Sequence, residues 1–485
     1  MALSPRIRAL IDLATIFAIG LNVFVYFYPD ILNEPQQCNW HNSPTLAPKF
    51  DILENIPHQY LQPILRSVPG LCKEEQETDV PSLIKKSKDE IHMLLFGDPQ
   101  INGNWKSTKY IKRLDNYGND YYLGHIYNTM YNRLHPSHVV VMGDLFSSQW
   151  ILDSEFYNRT YRFVERLFPR DQEYKQHVLD THAKHEDYDW NRWLNDEKSM
   201  DPLHRFQSRV YNDVYDWVHQ DRHVPNFENP LFINLTGNHD IGYSGDATWQ
   251  HMARFHLLFG QNNFVINYNK GTPKEWRIVV VDSLTLEGPA LQPEFVNYTW
   301  SFLEHLRDVE NPNFKGTTIL LTHIPMYKRA GLCRDGPEHR YYDETYKREP
   351  YKIGLLRSQN HLSFETTQKL LNIVFPNDDQ GGIILTGHDH EGCDDWYNFD
   401  DGNGTWVASK TKNHHNSSKH PVREVVVKSM MGDFDGQTGI LTGEFNNSRW
   451  NFTFTYCSFT VQHWWWASKV AILVAILLKT ITFLV

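Results

Sequence analysis

The feature that most constrains this chain is a repeated one: a short run of aliphatic and β-branched residues that stops abruptly at a polar cluster. The runs are HMLLFGDPQ from His92, VVVMGD from Val139, LFINLTGNHD from Leu231, IVVVDS from Ile278, TILLTHIP from Thr318 and IILTGHDH from Ile383. Runs this short and this apolar read as strands buried on both faces, and sheets of that kind present their chemistry at the C-terminal ends of the strands. VREVVVKSM from Val422 predicts one strand more. Between the runs, YLGHIYNTMYNRLH after Tyr122 and TTQKLLNIVF after Thr366 space their apolar residues by three and four, the period of helices. The pattern is therefore α/β. Residues 165–228 break it, being charged, aromatic and crowded with His, Asp and Trp, and predict a mostly helical surface insertion rather than a separate domain.

Composition narrows the partners. With 47 Lys and Arg against 58 Asp and Glu the net charge is −11, which argues against a nucleic-acid surface. Over 485 residues, 41% hydrophobic, the chain buries a large core, so a disordered or fibrous chain is excluded. The 25 histidines stand out and ask for metal binding or proton transfer.

The two ends are the most apolar stretches. Ala9 to Tyr28 carries a single charge, Asp12, follows Arg6 and Arg8, and lacks a small-x-small cleavage pattern. It reads as an uncleaved signal-anchor with a cytosolic N-terminus, so 1–29 is tail plus anchor. Trp464-Trp465-Trp466 opens a second apolar run over 464–485, where the indoles suit an interfacial belt and Lys479 can snorkel outward. An in-plane amphipathic segment or a removable lipid-attachment tail are the alternatives for that second run. With both spanning, 30–90 forms a lumenal lead-in and 91–460 a lumenal domain. Six Asn-x-Ser/Thr sequons there, at Asn158, Asn297, Asn403, Asn416, Asn446 and Asn451, are candidate glycan sites, whereas Asn234 sits in an apolar run and is expected to be inaccessible.

The polar clusters supply Asp98 and Gln100, Asp144, Asn238 with His239 and Asp240, His323, and His388 with His390. Residues two apart in an extended chain point the same way, so Asp98 with Gln100 and His388 with His390 can each converge. Carboxylate, imidazole and amide donors without thiolate suit Mn, Fe or Zn, and so many donors exceed what one tetrahedral ion takes. Two divalent ions sharing a carboxylate, Mn foremost, is the economical reading, and such pairs clamp an in-line phosphoryl displacement. Any one cluster alone is far more often a turn or a satisfied core histidine than a ligand. Their ordered repetition carries the argument.

GDPQ, GD, GNHD, TH and GHDH in this order resemble the five signature blocks of the calcineurin-like metallophosphoesterases, over Gly97 to His390. That resemblance implies a two-sheet β-sandwich flanked by helices. One metal would take Asp98, Asp144 and His390, the other Asp144, Asn238, His323 and His388. His239 would face the phosphate, with Asp240 orienting it. Gln100 departs from the family's Asp-x-His and makes a weaker ligand. NHDIGYSGD, RFHLLFG, THIPMYKRAGLC and GHDHEGCDDW further resemble the endoplasmic-reticulum branch that trims ethanolamine phosphate from GPI-anchor glycans. The implied substrate is a membrane-bound GPI glycolipid or GPI-anchored protein, with p24 cargo receptors as partners by the same resemblance, and with Tyr243, Arg254 and Tyr327 as substrate-binding residues. Hydrolysis of another lumenal phosphate ester, or a weakly catalytic cargo receptor, are the competing readings. Cys38 and Cys457 flank the two anchors, and Cys333 and Cys393 each follow a metal-site histidine, which pairs them and leaves Cys72 over.

Overall fold

The computed structural model describes residues 4–34, 36–41, 90–105, 107–185, 230–376, 381–412 and 417–484. Cys72, Asn416, most of the 30–90 lead-in and 186–228 of the expected insertion lie outside the described residues.

Two sheets face each other. The first holds β1 (Glu90–Phe96), β2 (His138–Val141) and β3 (Leu231–Asn234), extended by the hairpin β13 (Thr438–Asn446) and β14 (Arg449–Cys457), in the order β14-β13-β1-β2-β3. The second is built from β4 (Phe264–Tyr268), β5 (Trp276–Val280), β6 (Thr317–Leu321), β9 (Gly382–Thr386), β10 (Cys393–Asp400), β11 (Thr405–Ser409) and β12 (Val422–Val426), in the order β11-β10-β12-β9-β6-β5-β4. A small hairpin, β7 (His339–Tyr341) with β8 (Leu356–Gln359), stands apart. All seven strands expected from the apolar runs are present. Strands β4, β10, β11, β13 and β14, at or next to the ends of the two sheets, are not expected from the sequence because polar residues and glycine interrupt their apolar positions.

The period of two explains why the central runs are apolar throughout. Ile91, Met93 and Leu95 of β1 point between the sheets and meet Ile278, Ile319, Ile383 and Val425 in one buried cluster. Leu94 and Phe96 point the other way, into a second cluster with Leu123, Ile126, Met130 and Phe168 of the helical layer. Strands β1, β2 and β3 run parallel, as do β5, β6, β9 and β12, so the C-terminal ends of the central strands lie along one edge of the sandwich.

Helices cover the outside. Tyr110–Leu134 begins earlier than its periodicity suggests, and Phe364–Val374 is capped by Ser363, whose hydroxyl accepts from Thr366 N. The described part of the insertion is helical, including Gln172–His185.

Pro5–Tyr26 and Gln462–Leu484, helices of 22 and 23 residues, are long and apolar enough to cross a membrane by length and composition. They lie antiparallel. Asn22 Nδ2 donates to Ser468 O at 3.0 Å, Lys469 Nζ to Tyr26 OH at 3.0 Å, and Lys479 Nζ meets Asp12 Oδ1 at 2.6 Å. Asp12 and Lys479, one charge from each apolar run, thus neutralise each other. Cys38–Cys457 ties the segment after the first helix to the strand before the second, and Cys333–Cys393 forms as the second disulfide.

Candidate metal centre

Each candidate ligand sits two to four residues past the end of a central strand, and at four of them the backbone leaves the ladder in a strained turn. Asp98 (φ 37°), Gln100 (φ 42°), Asp144 (φ 49°) and His388 (φ 72°) all adopt left-handed conformations that are uncommon for residues with a side chain. The packing that enforces them is visible at Gly237. A methyl there would overlap the Asp144 backbone nitrogen and carboxylate, so only glycine lets the turns after β2 and β3 touch.

The turns are laced together. Asp98 accepts from His388 N at 3.2 Å, joining the two sheets, and Asp144 Oδ1 accepts from His239 N at 2.8 Å. Asp144, His323 and His388 form one group of facing donor atoms, and Asp98, Asp144 and His390 form another, with each group's atoms within 4.8 Å of one another. Asp144 belongs to both. Asn238 Oδ1 lies 3.2 Å from His323 Nε2 and joins the first group, while Gln100 Nε2 lies 3.1 Å from Asp144 Oδ2 and 3.3 Å from His390 Nε2 and joins the second. A half-turn of that amide would present its oxygen instead.

Backbone carbonyls set the imidazole tautomers. His323 Nδ1 is 2.7 Å from Met142 O and must donate to it, which leaves Nε2 with a lone pair facing the centre. His388 Nε2 likewise donates to Gln359 O at 3.1 Å, which frees Nδ1. The lone pair of His323 then faces the oxygens of Asn238 and, at 3.6 Å, of Asp144. Acceptors opposed to acceptors in a buried space repel unless a cation lies between them, so this donor set fits metal ions.

Electrostatics agree. Burial, then the neighbouring Asp144, pushes the Asp98 carboxyl well above its usual range. Burial works the same way on Asp144, but His323, His239 and the His239 backbone N–H outweigh it and hold the carboxyl below its usual range. Burial lowers His323 and His390, and brings His388 down to about 3 with His323 adding to the effect, so all three rings are neutral and able to ligate.

His239 stands at the mouth of the site, its side chain 38% exposed and its Nε2 3.8 Å from Asp144 Oδ2. Asp240 does not orient it. The Asp240 carboxylate is fully buried and accepts from Gly237 N, Leu145 N and Phe146 N at 2.9, 3.2 and 3.1 Å, so it locks the turns after β2 and β3 together. Tyr243 is at the site, its ring edge-on to His388 at 6.2 Å. Tyr327 packs its ring on Phe364. Arg254 is corrected outright: 1% exposed, it lies over Phe156 and donates to Ile151 O and Gln149 O at 2.7 and 2.6 Å, which leaves it no face for substrate. Met142 O, Gln359 O and Phe434, whose ring meets His390 at 4.8 Å, are parts that sequence reasoning missed. Only the MGD block hinted at Met142, and Gln359 carried no signal.

Among the sequons, Asn158, Asn297, Asn403, Asn446 and Asn451 are exposed, and Asn234 is buried at 7%.

No family model matches the chain. Protein TED1 of Saccharomyces cerevisiae is 47% identical over 479 residues, which cover 96% of each chain. An uncharacterised protein of Schizosaccharomyces pombe is 26% identical over 333 residues, 63% of this chain and 64% of its own. Metallophosphoesterase 1 of Xenopus laevis is 26% identical over 202 residues, 38% of this chain and 46% of its own.

Proposed function

Because this chain belongs to the calcineurin-like metallophosphoesterases, the family it shares with Protein TED1 and Metallophosphoesterase 1, we propose that it is a dinuclear phosphodiesterase that removes ethanolamine phosphate from a mannose of the GPI-anchor glycan. The observation that carries the reading is Asp144 standing in both ligand groups.

Asp98, Asp144, His390 and Gln100 would hold one ion, and Asp144, Asn238, His323 and His388 the other. The ions, Mn in our reading with Fe or Zn as alternatives, would supply Lewis acidity and an acidified water. The chain's own groups do the rest. His239, exposed at the mouth, bears on the phosphate and gives a proton to the leaving oxygen. Tyr243, beside His388, offers an aromatic face to a sugar. Asp240 keeps the turns from moving apart as charge develops.

We place the domain on the lumenal side of the endoplasmic-reticulum membrane, held by two spanning helices, where it serves GPI-anchored protein remodelling and export with p24 cargo receptors as partners. Two disulfides suit an oxidising compartment, and the exposed sequons are accessible to glycosylation. The test is mass spectrometry of GPI anchors from cells carrying Asp144→Ala. Anchors that retain ethanolamine phosphate on a mannose support the assignment, and anchors identical to wild type overturn the substrate.

A further inference from the structure

The helix Tyr110–Leu134 crosses the ends of both apolar helices. Gly118 lies against the indole of Trp466, which a Cβ at that position would overlap. Tyr122 donates to Thr460 O at 2.7 Å and meets Trp465 edge-on, His125 meets Tyr26 with ring centroids 4.7 Å apart, and Arg133 pairs with Asp30 at 2.6 Å. Residues 118, 122 and 125 therefore define the face that touches the two helices where they enter the domain.

The first turns of this helix run on past those contacts, and their exposed residues divide by side: Lys112, Arg113 and Asp115 are charged, with Lys112 and Asp115 paired at 2.7 Å, while the others are apolar or aromatic. Tyr110 is 74% exposed and Ile111 81%, and Leu114 and Tyr117 are also exposed. At ~100° per residue Ile111 falls in line with Gly118 and Tyr122, and Tyr110, Leu114 and Tyr117 form the adjoining stripe. Trp105, also exposed, is held beside the stripe by Arg113, whose guanidinium donates to Trp105 O and Thr108 O at 3.0 and 2.9 Å. Exposed Lys109 begins the helix. Tyrosine and tryptophan edged by lysine, continuous with a face that packs on spanning helices, is the composition of a segment lying in the headgroup layer.

We propose that Trp105 and the stripe of Tyr110, Ile111, Leu114 and Tyr117 form a third membrane contact, lying in the plane of the bilayer surface and occupied by lipid headgroups. This rests on the two terminal helices spanning the membrane. The contact is coupled to the metal centre. Asn116 Nδ2 donates to Gly103 O at 2.9 Å, and Arg162 links Asp120 of the helix to Asn102 O, two residues past Gln100, with both bonds at 2.8 Å. A bilayer under the stripe therefore fixes the height and tilt of the Gln100 turn relative to the lipid surface, as hydrolysis of a head group projecting from that surface requires.

The test uses the full chain with Cys72→Ser, reconstituted in nanodiscs of phosphatidylcholine and phosphatidylinositol. Nitroxides are attached to single cysteines at Ile111→Cys, Leu473→Cys in the C-terminal helix and Asn403→Cys on the turn between β10 and β11. Collisions with oxygen and with a water-soluble nickel chelate are read at each. We expect the 111 label to lose its nickel collisions relative to 403 while keeping those with oxygen, as the 473 label does. A 111 label as open to nickel as 403, beside a lipid-immersed 473, overturns the surface contact and leaves the spanning helices standing. Labels open to nickel at both 111 and 473 overturn the spanning reading and this contact with it. A 111 label shielded from both reagents puts protein on the stripe and overturns lipid as the occupant.

Discussion

Asp120 and Asp144 are equally buried, yet their surroundings are opposites. The Asp120 carboxylate is gripped by Arg162 through two bonds of 2.8 Å and by Arg166 at 3.1 Å, so its countercharge is built into the chain. Asp144 and its neighbour Asp98 have no Lys or Arg within ion-pair distance among the described residues, only imidazoles, an amide and backbone N–H groups. An acid buried with its own guanidinium partners is structural, because its charge is already balanced. An acid buried among neutral donors is incomplete until a cation arrives. The same difference separates positioning groups from the site they serve: Asp120, through Arg162, holds the helix Tyr110–Leu134 to the Gln100 turn, while Asp144 stands in both groups of the candidate metal centre.

The sharpest way to break this comparison is to remove each acid in turn. Asp144→Ala should lose both ions and cut turnover by roughly 10³-fold or more, since a shared ligand serves both positions. Metal content and turnover of the purified protein read this, and retention of both ions would refute the shared-carboxylate arrangement. Asp120→Ala should do the reverse. It strands two guanidinium groups and should cost about 3–5 kcal/mol of stability while the folded protein keeps its full metal content. Denaturant unfolding alongside metal analysis decides it, and a neutral effect on stability would mean that Asp120 is not the keystone of this pair.

Buried histidines that ligate nothing give a third handle. Burial lowers His138 and His251 to about 3, so each stays neutral in the folded chain and takes a proton on unfolding. Their contribution to stability is therefore full above ~6.5, the ordinary histidine value, and is lost as pH falls from there toward 3, at up to ~1.4 kcal/mol per unit for each. His138→Asn, which removes the titrating group beside Tyr268 and Trp276, should flatten that dependence in acid unfolding curves. An unchanged slope would count against it. The smallest effect is expected at Gln100→His, where a stronger donor beside Asp144 should slow metal loss to a chelator by roughly tenfold. Unchanged loss would put Gln100 outside the ligand set.

Much of the site was legible because its signal is local. A run such as VVVMGD carries both the strand and the candidate ligand at its end, and five such junctions in one chain predict a shared edge. The roles that failed were those that depend on where a side chain finds its partners. A short motif points Arg254 at substrate, but Ile151 O and Gln149 O, over a hundred residues upstream, claim its guanidinium. The family resemblance has Asp240 orient His239, its neighbour in sequence, yet the turn points its carboxylate at the backbone of Leu145 and Phe146. The hairpin β13–β14 that completes the first sheet has no continuous apolar run to mark it, because Thr, Gly, Asn and Glu interrupt the apolar residues of both strands.

Chain order alone marked the candidate ligands, since a donor placed two to four residues past a buried strand has few directions in which to point. It also marked the two apolar helices and, through cysteines beside them, how they are tied. Tertiary structure decided what no local pattern encodes. The tautomer of His323 depends on Met142 O, 181 residues away, and Asp12 is neutralised by Lys479 from the opposite end of the chain. Whether a buried aspartate is balanced or awaits an ion, and whether a tyrosine on an exposed turn faces water or a bilayer, are set by groups that only folding brings within a few ångströms, where desolvation makes each charge and each lone pair count.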